Sequence, residues 1–341
     1  MTVPAVSGWD KRPVRFRPVS TSPLPAEQAV PMSIAPSEAT RIEGTLLDHI
    51  AHAVPRWQDV WHRYATDLGA EWSSGGPGPG FAPGQLQFSN GARVEMLMPW
   101  NVEVNDFLSR FLVTNGPGPH HLTFKVPDLA DAIERVRAFG IEPVGIDFSH
   151  PEWLEAFIHP KQGTGVVVQL AEDHETWNGP APDDFPTERR QRPDGSGPVP
   201  PASLLRVCHV VADLDAALEL FSGVLDGRVV NEGTSAGLHW VDLAWPSPMG
   251  IRLMATAARA PGASTGTWLE GRPGRVHHIT LEVDEPEGVP SSAPASSLFA
   301  LAETDGGSPV WEINRGANAG LGVVLVPPGT TFRATPDGPV T

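Results

Sequence analysis

The sequence predicts an α+β fold of four tandem βαβββ modules, and three observations support it. A strand pattern recurs four times, with copies beginning at Leu46, Pro119, Leu204 and Val276. An internal repeat of this kind is the strongest sequence indication of a fold. Each copy continues with a helical periodicity, or an eroded remnant of one, and then with alternating strands that close in an apolar run. Matching places in the first two copies also hold side chains that bind divalent metals. The modules are expected to pair into two domains with cupped mixed sheets.

The composition excludes several classes of protein. The chain has 341 residues, enough for about two domains, and 40% of them are hydrophobic. Its 40 acidic and 24 basic residues leave a formal net charge of −16, which disfavours binding to nucleic acid or to an anionic membrane. The single cysteine, Cys208, excludes an internal disulfide. Neither a membrane-spanning apolar run nor a signal peptide is recognisable, so a cytoplasmic protein is expected.

Composition shifts along the chain predict the domain boundaries. Residues 1–43 are rich in Pro, Ser and Ala and are expected to form an extended N-terminal arm. Residues 44–174 form the first predicted domain, and 203–328 form the second. The prolines and mixed charges of 175–202 are typical of a linker, and 329–341 is a tail.

In the first module, the strand at Leu46 precedes an amphipathic helical pattern that ends at Gly69. Two alternating strands then flank Asn90-Gly91, a strong signal for a tight turn, and a short connecting helix follows. The apolar positions that predict the first helix are Val60, Trp61, Tyr64 and Leu68.

The later modules repeat this plan. In the second module, Asp128 is the expected N-cap of the helix and Gly140 its stop signal. The third module has its own helical pattern after the strand that begins at Leu204. In the fourth module prolines interrupt the helix position, so a broken or shortened helix is expected there.

Four polar residues occupy matching places in the first two modules. His49 and His121 lie in the opening strands, whereas Glu95 and Gln169 lie in the closing strands. If the two modules pair about a pseudo-twofold axis, two imidazoles, a carboxylate and an amide oxygen converge. This donor set suits one divalent ion with open coordination positions, and Zn is favoured over Co, Ni, Mn or Fe.

The segments "LDHIAHAVPRW", "RVEMLMP", "HHLTFKVPDLADAIERVRAFGIEPV" and "FIHPKQGTGVVVQLAE" resemble the vicinal oxygen chelate superfamily, which contains glyoxalases, bleomycin-resistance proteins and dioxygenases. Within the superfamily, the chain most resembles methylmalonyl-CoA epimerase and keto-cyclitol (2-epi-5-epi-valiolone) epimerases. The resemblance covers nearly all of 46–172 and implies a metal-centred site with His49, Glu95, His121 and Gln169 as ligands. Over 203–328 it extends only to the fold.

Two departures from the family pattern are visible. The epimerase pattern has Gln in the first closing strand and Glu in the second, and here Glu95 and Gln169 exchange these places. Extradiol dioxygenases place their carboxylate at the position of Gln169, so the exchange counts against iron-dependent ring cleavage. In the second domain a catalytically silent duplicate is expected, because the four equivalent positions read Arg206, Arg252, His278 and Val326.

The predicted activity is that of a metal-dependent epimerase or isomerase. It would remove and return a proton next to a chelated carbonyl, in a small polyhydroxylated ketone or a methylmalonyl-CoA-like thioester. Glu95 and Gln169 are the candidate catalytic residues, with Glu95 as combined ligand and base. Gln85, Gln87 and His159 are candidates for substrate binding.

Two alternatives remain open. One is a glyoxalase-type lyase or an Fe(II) dioxygenase, and the other is a non-catalytic protein that binds a drug or metabolite. Metal content and oxygen consumption distinguish them from the epimerase. The expected partner in every case is a small molecule rather than nucleic acid or a membrane, and a homodimer is possible in principle for this superfamily.

Overall fold

A computed structural model describes five stretches of the chain: residues 37–174, 179–235, 237–257, 265–304 and 308–330. Most of the predicted N-terminal arm and of the tail lies outside the described residues, as does Trp177 in the linker. No helix in these stretches is both long and apolar enough to cross a membrane.

The first sheet forms what we call the N-terminal lobe, residues 46–173. Its eight strands are β1 (Leu46–Ala53), β2 (Glu71–Gly75), β3 (Phe81–Gln87), β4 (Arg93–Pro99), β5 (Gly118–Lys125), β6 (Val144–Asp147), β7 (Trp153–Ile158) and β8 (Val167–Asp173). Their spatial order is β2-β3-β4-β1-β5-β8-β7-β6. The opening strands β1 and β5 are antiparallel neighbours at the centre, and each pairs in parallel with the closing strand of its own module.

The second sheet forms the C-terminal lobe, residues 203–326, and repeats this order. Its strands are β9 (Ser203–Val211), β10 (Arg228–Ser235), β11 (Leu238–Ala244), β12 (Gly250–Thr256), β13 (Gly274–Glu282), β14 (Ala293–Pro294), β15 (Trp311–Ile313) and β16 (Gly322–Val326). Their spatial order is β10-β11-β12-β9-β13-β16-β15-β14. The predicted α+β fold with two mixed eight-stranded sheets is therefore confirmed.

Helices are few and short. The α-helices are α1 (Phe107–Asn115), α2 (Leu129–Ala138), α3 (Leu214–Leu218), α4 (Thr265–Leu269) and α5 (Leu298–Leu301). Asp128 caps α2 as predicted, because its side chain accepts a hydrogen bond from the Asp131 amide. Where the second module has α2, between its first two strands, the fourth module has a three-residue 3-10 helix, Pro286–Gly288, as its prolines predict. Helix α5 lies later, between β14 and β15.

The first helix departs from the prediction. The segment expected to be one α-helix is a 3-10 turn at Trp57–Asp59 followed by a π-helix at His62–Asp67. The apolar residues that predicted it are all buried, so the hydrophobic face is correct although the winding is not. A π-helix turns more slowly than an α-helix, so spacing in the sequence alone does not distinguish the two.

One hydrophobic core joins the two sheets. Phe124 of β5 lies 6.1 Å from Phe221 and 5.3 Å from Trp245 in the C-terminal lobe, measured between ring centroids. One contiguous cluster of buried side chains spans both lobes. The opposite face of the first sheet is the one that carries His49, Glu95 and His121, and we call it the site face.

A symmetric pair of buried histidines crosses the boundary between the lobes. His52 Nε2 lies 2.8 Å from the carbonyl oxygen of Ala319, and His209 Nε2 lies 2.9 Å from that of Thr164. The register with the neighbouring strands makes His52 and His209 equivalent positions of the two lobes. The lobes therefore meet about a pseudo-twofold axis.

Glycines at the same boundary allow the two backbones to touch. A Cβ atom at Gly274 would lie 2.0 Å from the Thr164 carbonyl oxygen, and one at Gly165 would lie 2.0 Å from that of Gly274. A Cβ at Gly320 would lie 1.7 Å from the Pro117 carbonyl oxygen. No side chain fits at these three positions unless the lobes separate.

Candidate metal centre

Three buried side chains converge at the middle of the site face. Nε2 of His49 lies 3.5 Å from Oε2 of Glu95, and Nε2 of His121 lies 3.8 Å from Oε1 of the same carboxylate. One potential ligand atom from each residue falls within 4.8 Å of the others. The central pairing of β1 with β4 and β5 creates this group, because it places three neighbouring strands of two modules side by side.

A β-bulge supports the first histidine. In the pairing of β1 with β5 the register shifts between Leu47 and His49, so Asp48 is the extra residue. The side chains of Asp48 and His49 can then lie on the same side of the sheet, and Oδ2 of Asp48 lies 2.7 Å from Nδ1 of His49. A proton on Nδ1 leaves Nε2 with the lone pair that binding of a cation requires.

The charge of Asp48 is held in place by two cations. Arg93 forms a short ion pair with Asp48, and Nζ of Lys125 lies 3.5 Å from it. Burial alone would raise the pKa of Asp48, but the hydrogen bond with His49 and the charges of His49, Arg93 and Lys125 outweigh it and lower the pKa to about 2. Asp48 is therefore a carboxylate that orients His49.

A second bulge, in β5, supports the other histidine. Between the pairs Ile50–Leu122 and His52–Pro119 the register shifts, which leaves two residues of β5 opposite one of β1. Nδ1 of His120 consequently lies 2.8 Å from Nδ1 of His121. Strand alternation alone predicts that His120 and His121 face opposite sides of the sheet, but the bulge brings the two rings together. Burial is the main cause that lowers the pKa of both rings, so both are neutral at pH 7.

The donor set fits a divalent cation. Nε2 of His121 is buried and has no hydrogen-bond partner in the described part of the chain. A buried polar atom left in this state is costly, and a bond to a cation would satisfy it. Two imidazole nitrogens and a carboxylate oxygen are the donors that Zn²⁺ and related ions accept.

Gln169 reaches this group through a hydroxyl. Oγ1 of Thr123 lies 2.6 Å from Oε1 of Gln169 and 2.9 Å from Nε2 of His49. Nε2 of Gln169 donates a hydrogen bond of 2.7 Å to Oε2 of Glu155. The amide of Gln169 thus lies next to the His49–Glu95–His121 group. The repeat in the sequence predicts this residue as the fourth member of the group.

Glu155 is a second carboxylate on the site face, and the sequence analysis missed it. Burial raises its pKa, while hydrogen bonds from Gln169 and Trp153 partly oppose that effect. The repeat gave no signal for Glu155, because the strand register makes Pro83 its equivalent in the first module.

The three predicted substrate-binding residues have different surroundings. Gln85 lies against the buried group, since its Nε2 donates a 3.2 Å hydrogen bond to Oε2 of Glu95. Gln87 is exposed, at the end of β3 and opposite Arg93. His159 is also exposed, and its Nδ1 accepts a hydrogen bond from the Lys161 amide in the turn after β7. Only Gln85 is thus brought to the buried group.

In the C-terminal lobe an ion network occupies the equivalent place. Arg252 Nε lies 2.6 Å from Asp242 Oδ1, and Arg206 Nε lies 3.1 Å from Glu303 Oε2. His278 Nε2 lies 3.3 Å from the other oxygen of Glu303. Two guanidinium groups bring positive charge to the position that a cation would take in the N-terminal lobe. This face therefore does not suit a divalent metal.

The strand register corrects one equivalence. Thr123 pairs with Gln169, and its counterpart Thr280 pairs with Val324. The position equivalent to Gln169 is therefore Val324 and not Val326, which lies two residues further along the same strand. The chemical conclusion is unchanged, since both are buried valines without a donor atom.

Residues 48–157 match the family model described as Glyoxalase/Bleomycin resistance protein/Dioxygenase superfamily. This part of the N-terminal lobe is therefore similar to the superfamily that its sequence resembles. Candidate ligands for a metal ion, His49, Glu95 and His121, lie within the matched residues. The match ends before the C-terminal lobe. No curated protein matches the chain.

Solved structures show limited likeness to this chain. Methylmalonyl-CoA epimerase from Mycobacterium tuberculosis is 25% identical, with 38% of this chain and 88% of that chain covered and a TM-score of 0.34. A hypothetical protein from Bacillus halodurans C-125 is 24% identical, with 39% and 97% covered and a TM-score of 0.36. A hypothetical protein from Staphylococcus aureus is 11% identical, with 83% and 99% covered and a TM-score of 0.48.

Proposed function

We propose that the N-terminal lobe, most of which matches the glyoxalase/bleomycin resistance/dioxygenase family model, is a metal-dependent epimerase or isomerase. The observation that carries the proposal is the buried group of His49, Glu95 and His121, in which Nε2 of His121 has no hydrogen-bond partner among the residues that the structure describes. These three residues would hold a divalent cation, with Gln169 as a fourth ligand, and Zn²⁺ is favoured because two imidazoles contribute.

A bound cation supplies a Lewis acid that stabilises negative charge on the carbonyl oxygen of a substrate. The chain supplies the other requirements. Asp48 and His120 orient the two imidazoles through their Nδ1 atoms, and Gln85 donates a hydrogen bond to Glu95. These contacts preorganise the site before substrate binds.

Proton transfer requires a base on each face of the carbon that inverts, or one base that reaches both. Glu95 lies on the side of the site formed by the first module, and Glu155 lies on the side formed by the second. We propose that Glu95 removes the proton next to the carbonyl and that Glu155 returns one from the opposite side. The position of one carboxylate on each side of the site, one from each module, supports this assignment.

A small polyhydroxylated ketone is the substrate class we favour over a CoA thioester. The amide of Gln85 and the carboxylate of Glu155 offer hydrogen bonds to hydroxyl groups on both sides of the buried group. The chain as a whole has a formal net charge of −16, which opposes the binding of a multiply phosphorylated thioester unless a local cationic site compensates.

The test is solvent exchange. Zn²⁺-loaded protein is incubated in D₂O with keto-cyclitols and, separately, with methylmalonyl-CoA, and deuterium at the carbon next to the carbonyl is measured by mass spectrometry. Deuterium incorporation with inversion is expected for one class. Glu155→Gln should abolish inversion while metal stays bound, although Glu95 can still exchange the proton that it removes with solvent. The exposed Glu152→Gln is the matched control.

Two results would contradict the proposal. One is the absence of deuterium incorporation in every substrate tested with metal-loaded protein. The other is stoichiometric oxygen uptake by an Fe(II)-loaded sample in an oxygen electrode, which would assign the site to dioxygenase chemistry instead.

A further inference from the structure

Two arginines pack on one tryptophan at the edge of the C-terminal lobe, and a third arginine lies near both of them. The guanidinium carbon of Arg275 lies 4.5 Å from the ring centroid of Trp268, and that of Arg315 lies 4.7 Å from it. Arg272 follows α4 by three residues and is exposed, and its charge contributes to lowering the pKa of both Arg275 and Arg315. We call Arg272, Arg275 and Arg315 the arginine cluster.

The cluster has little anionic compensation. Among the described residues, its one ion pair joins Arg275 to Glu270 at 3.6 Å, and Glu270 is 65% exposed. Nη1 of Arg315 is buried without a hydrogen-bond partner in the described chain. Burial and then the like charges of Arg275 and Arg272 lower the pKa of Arg315 to about 10. Such crowding of positive charge is unfavourable without an anion nearby.

The fold itself does not require these arginines. The strand registers make Gly118 the N-terminal equivalent of Arg275. At the corresponding place in the N-terminal lobe, Phe111 packs on His120 with 4.6 Å between ring centroids, just as Trp268 packs on His277 at 4.6 Å. The N-terminal lobe therefore closes this end of its sheet with apolar contacts, and the positive charge is specific to the C-terminal lobe.

The position of Arg315 is fixed by the boundary between the lobes. It begins the 3-10 turn Arg315–Asn318, whose Asn318 donates a 3.4 Å hydrogen bond to the Tyr64 hydroxyl. The next residue, Ala319, accepts from His52. A guanidinium held by its own loop and by an aromatic ring is preorganised, so it loses little conformational freedom when it binds a ligand.

We propose that the arginine cluster is an anion-binding site for the phosphate or diphosphate group of a small molecule. Guanidinium groups match phosphate oxygens in geometry and charge, and three neighbouring positive charges suit a doubly charged group better than a single carboxylate. The arginine cluster contains none of the proposed metal ligands, so anion binding can be tested on metal-free protein.

Isothermal titration calorimetry with inorganic pyrophosphate tests this site. The protein is first dialysed against a chelator so that metal in the N-terminal lobe does not compete, and ionic strength is held constant with NaCl. Saturable binding at one site per chain is expected. Arg275→Gln/Arg315→Gln should weaken it by at least about tenfold.

The matched control removes the same charge elsewhere. Arg110→Gln/Arg137→Gln neutralises two exposed arginines of the N-terminal lobe and should leave pyrophosphate affinity unchanged. Arg272→Gln, at an exposed position that should not affect folding, is expected to weaken binding on its own. The proposal is overturned if wild-type protein shows no saturable binding, or if the control loses as much affinity as the cluster variant.

Discussion

At the scale of single residues, the repeat in the sequence predicts the residues at the centre of the site but not the residues that surround them. His49, Glu95 and His121 were found because they occupy repeated positions in strands, and the structure brings them together. Asp48 and His120 were missed because strand alternation predicts that neighbours face opposite sides, and β-bulges break that rule at both places. Single-sequence patterns carry no signal for such bulges.

Asp48 provides a prediction at this scale. Asp48→Asn removes the charge that orients His49 and leaves the neighbouring Arg93 and Lys125 without their shared partner. Metal affinity should fall by about 10–100-fold, as for other changes in residues that orient metal ligands. Competition with a chromophoric chelator measures this. Asp173→Asn, which removes a more exposed partner of Lys125, is the control, and an equal loss there would contradict the orienting role.

At the scale of elements, capping and termination signals were reliable where a helix is regular. The N-cap Asp128 and the stop at Gly140 lie where the sequence predicts them. The segment before Gly69 was less predictable, because its buried face is compatible with both α and π winding. Tertiary packing of Trp57, Trp61 and Tyr64 decides between them, and that information is not local in sequence.

Helix α2 provides a prediction at the scale of elements. Asp128→Ala removes the acceptor for the Asp131 amide and should lower the free energy of unfolding by about 1 kcal/mol. Urea denaturation measures the change. Asp106→Ala is its control, because Asp106 precedes α1 without making a side-chain cap. A similar loss in both variants would show that the cap of α2 has no special role.

At the scale of the whole molecule, the sequence showed that the modules pair but did not show how the two lobes meet. Their contact depends on glycines whose neighbours come from distant parts of the chain, such as Gly274 against Thr164. It also depends on His52 and His209, which the sequence presents as ordinary strand histidines. Long-range backbone contacts of this kind leave no periodic signature in the sequence.

The glycine contacts predict a large effect from one methyl group. Gly274→Ala would place a Cβ 2.0 Å from the Thr164 carbonyl oxygen, so the lobes must shift. We expect a loss of about 1–3 kcal/mol in the free energy of unfolding, measured in urea. Gly266→Ala is the matched control, since nothing lies within 4 Å of its added Cβ. Equal stability of the two variants would contradict the close contact.

The buried histidines predict a dependence of stability on pH. Burial is the main cause that lowers the pKa of His52 and of His209 to about 4, against an ordinary value of 6.5. Between these pH values the unfolded chain binds protons that the folded chain excludes. Stability is therefore complete above pH 6.5 and falls as the pH drops towards 4, by up to about 3 kcal/mol for each histidine.

Urea denaturation at pH 7 and pH 5 checks this dependence. His52→Gln/His209→Gln should be less stable than the wild type at pH 7 and should lose less stability on going to pH 5. The exposed His62→Gln should retain the wild-type dependence on pH. An unchanged dependence in the double variant would show that other groups cause it.

Metal stoichiometry tests the central claim most directly. Wild-type protein is equilibrated with excess Zn²⁺, dialysed, and analysed by inductively coupled plasma mass spectrometry beside His121→Ala and the exposed control His159→Ala. The account predicts about one bound Zn²⁺ per chain in the wild type and in His159→Ala, and none in a folded His121→Ala variant. Full occupancy in His121→Ala, or no metal in the wild type, would contradict it.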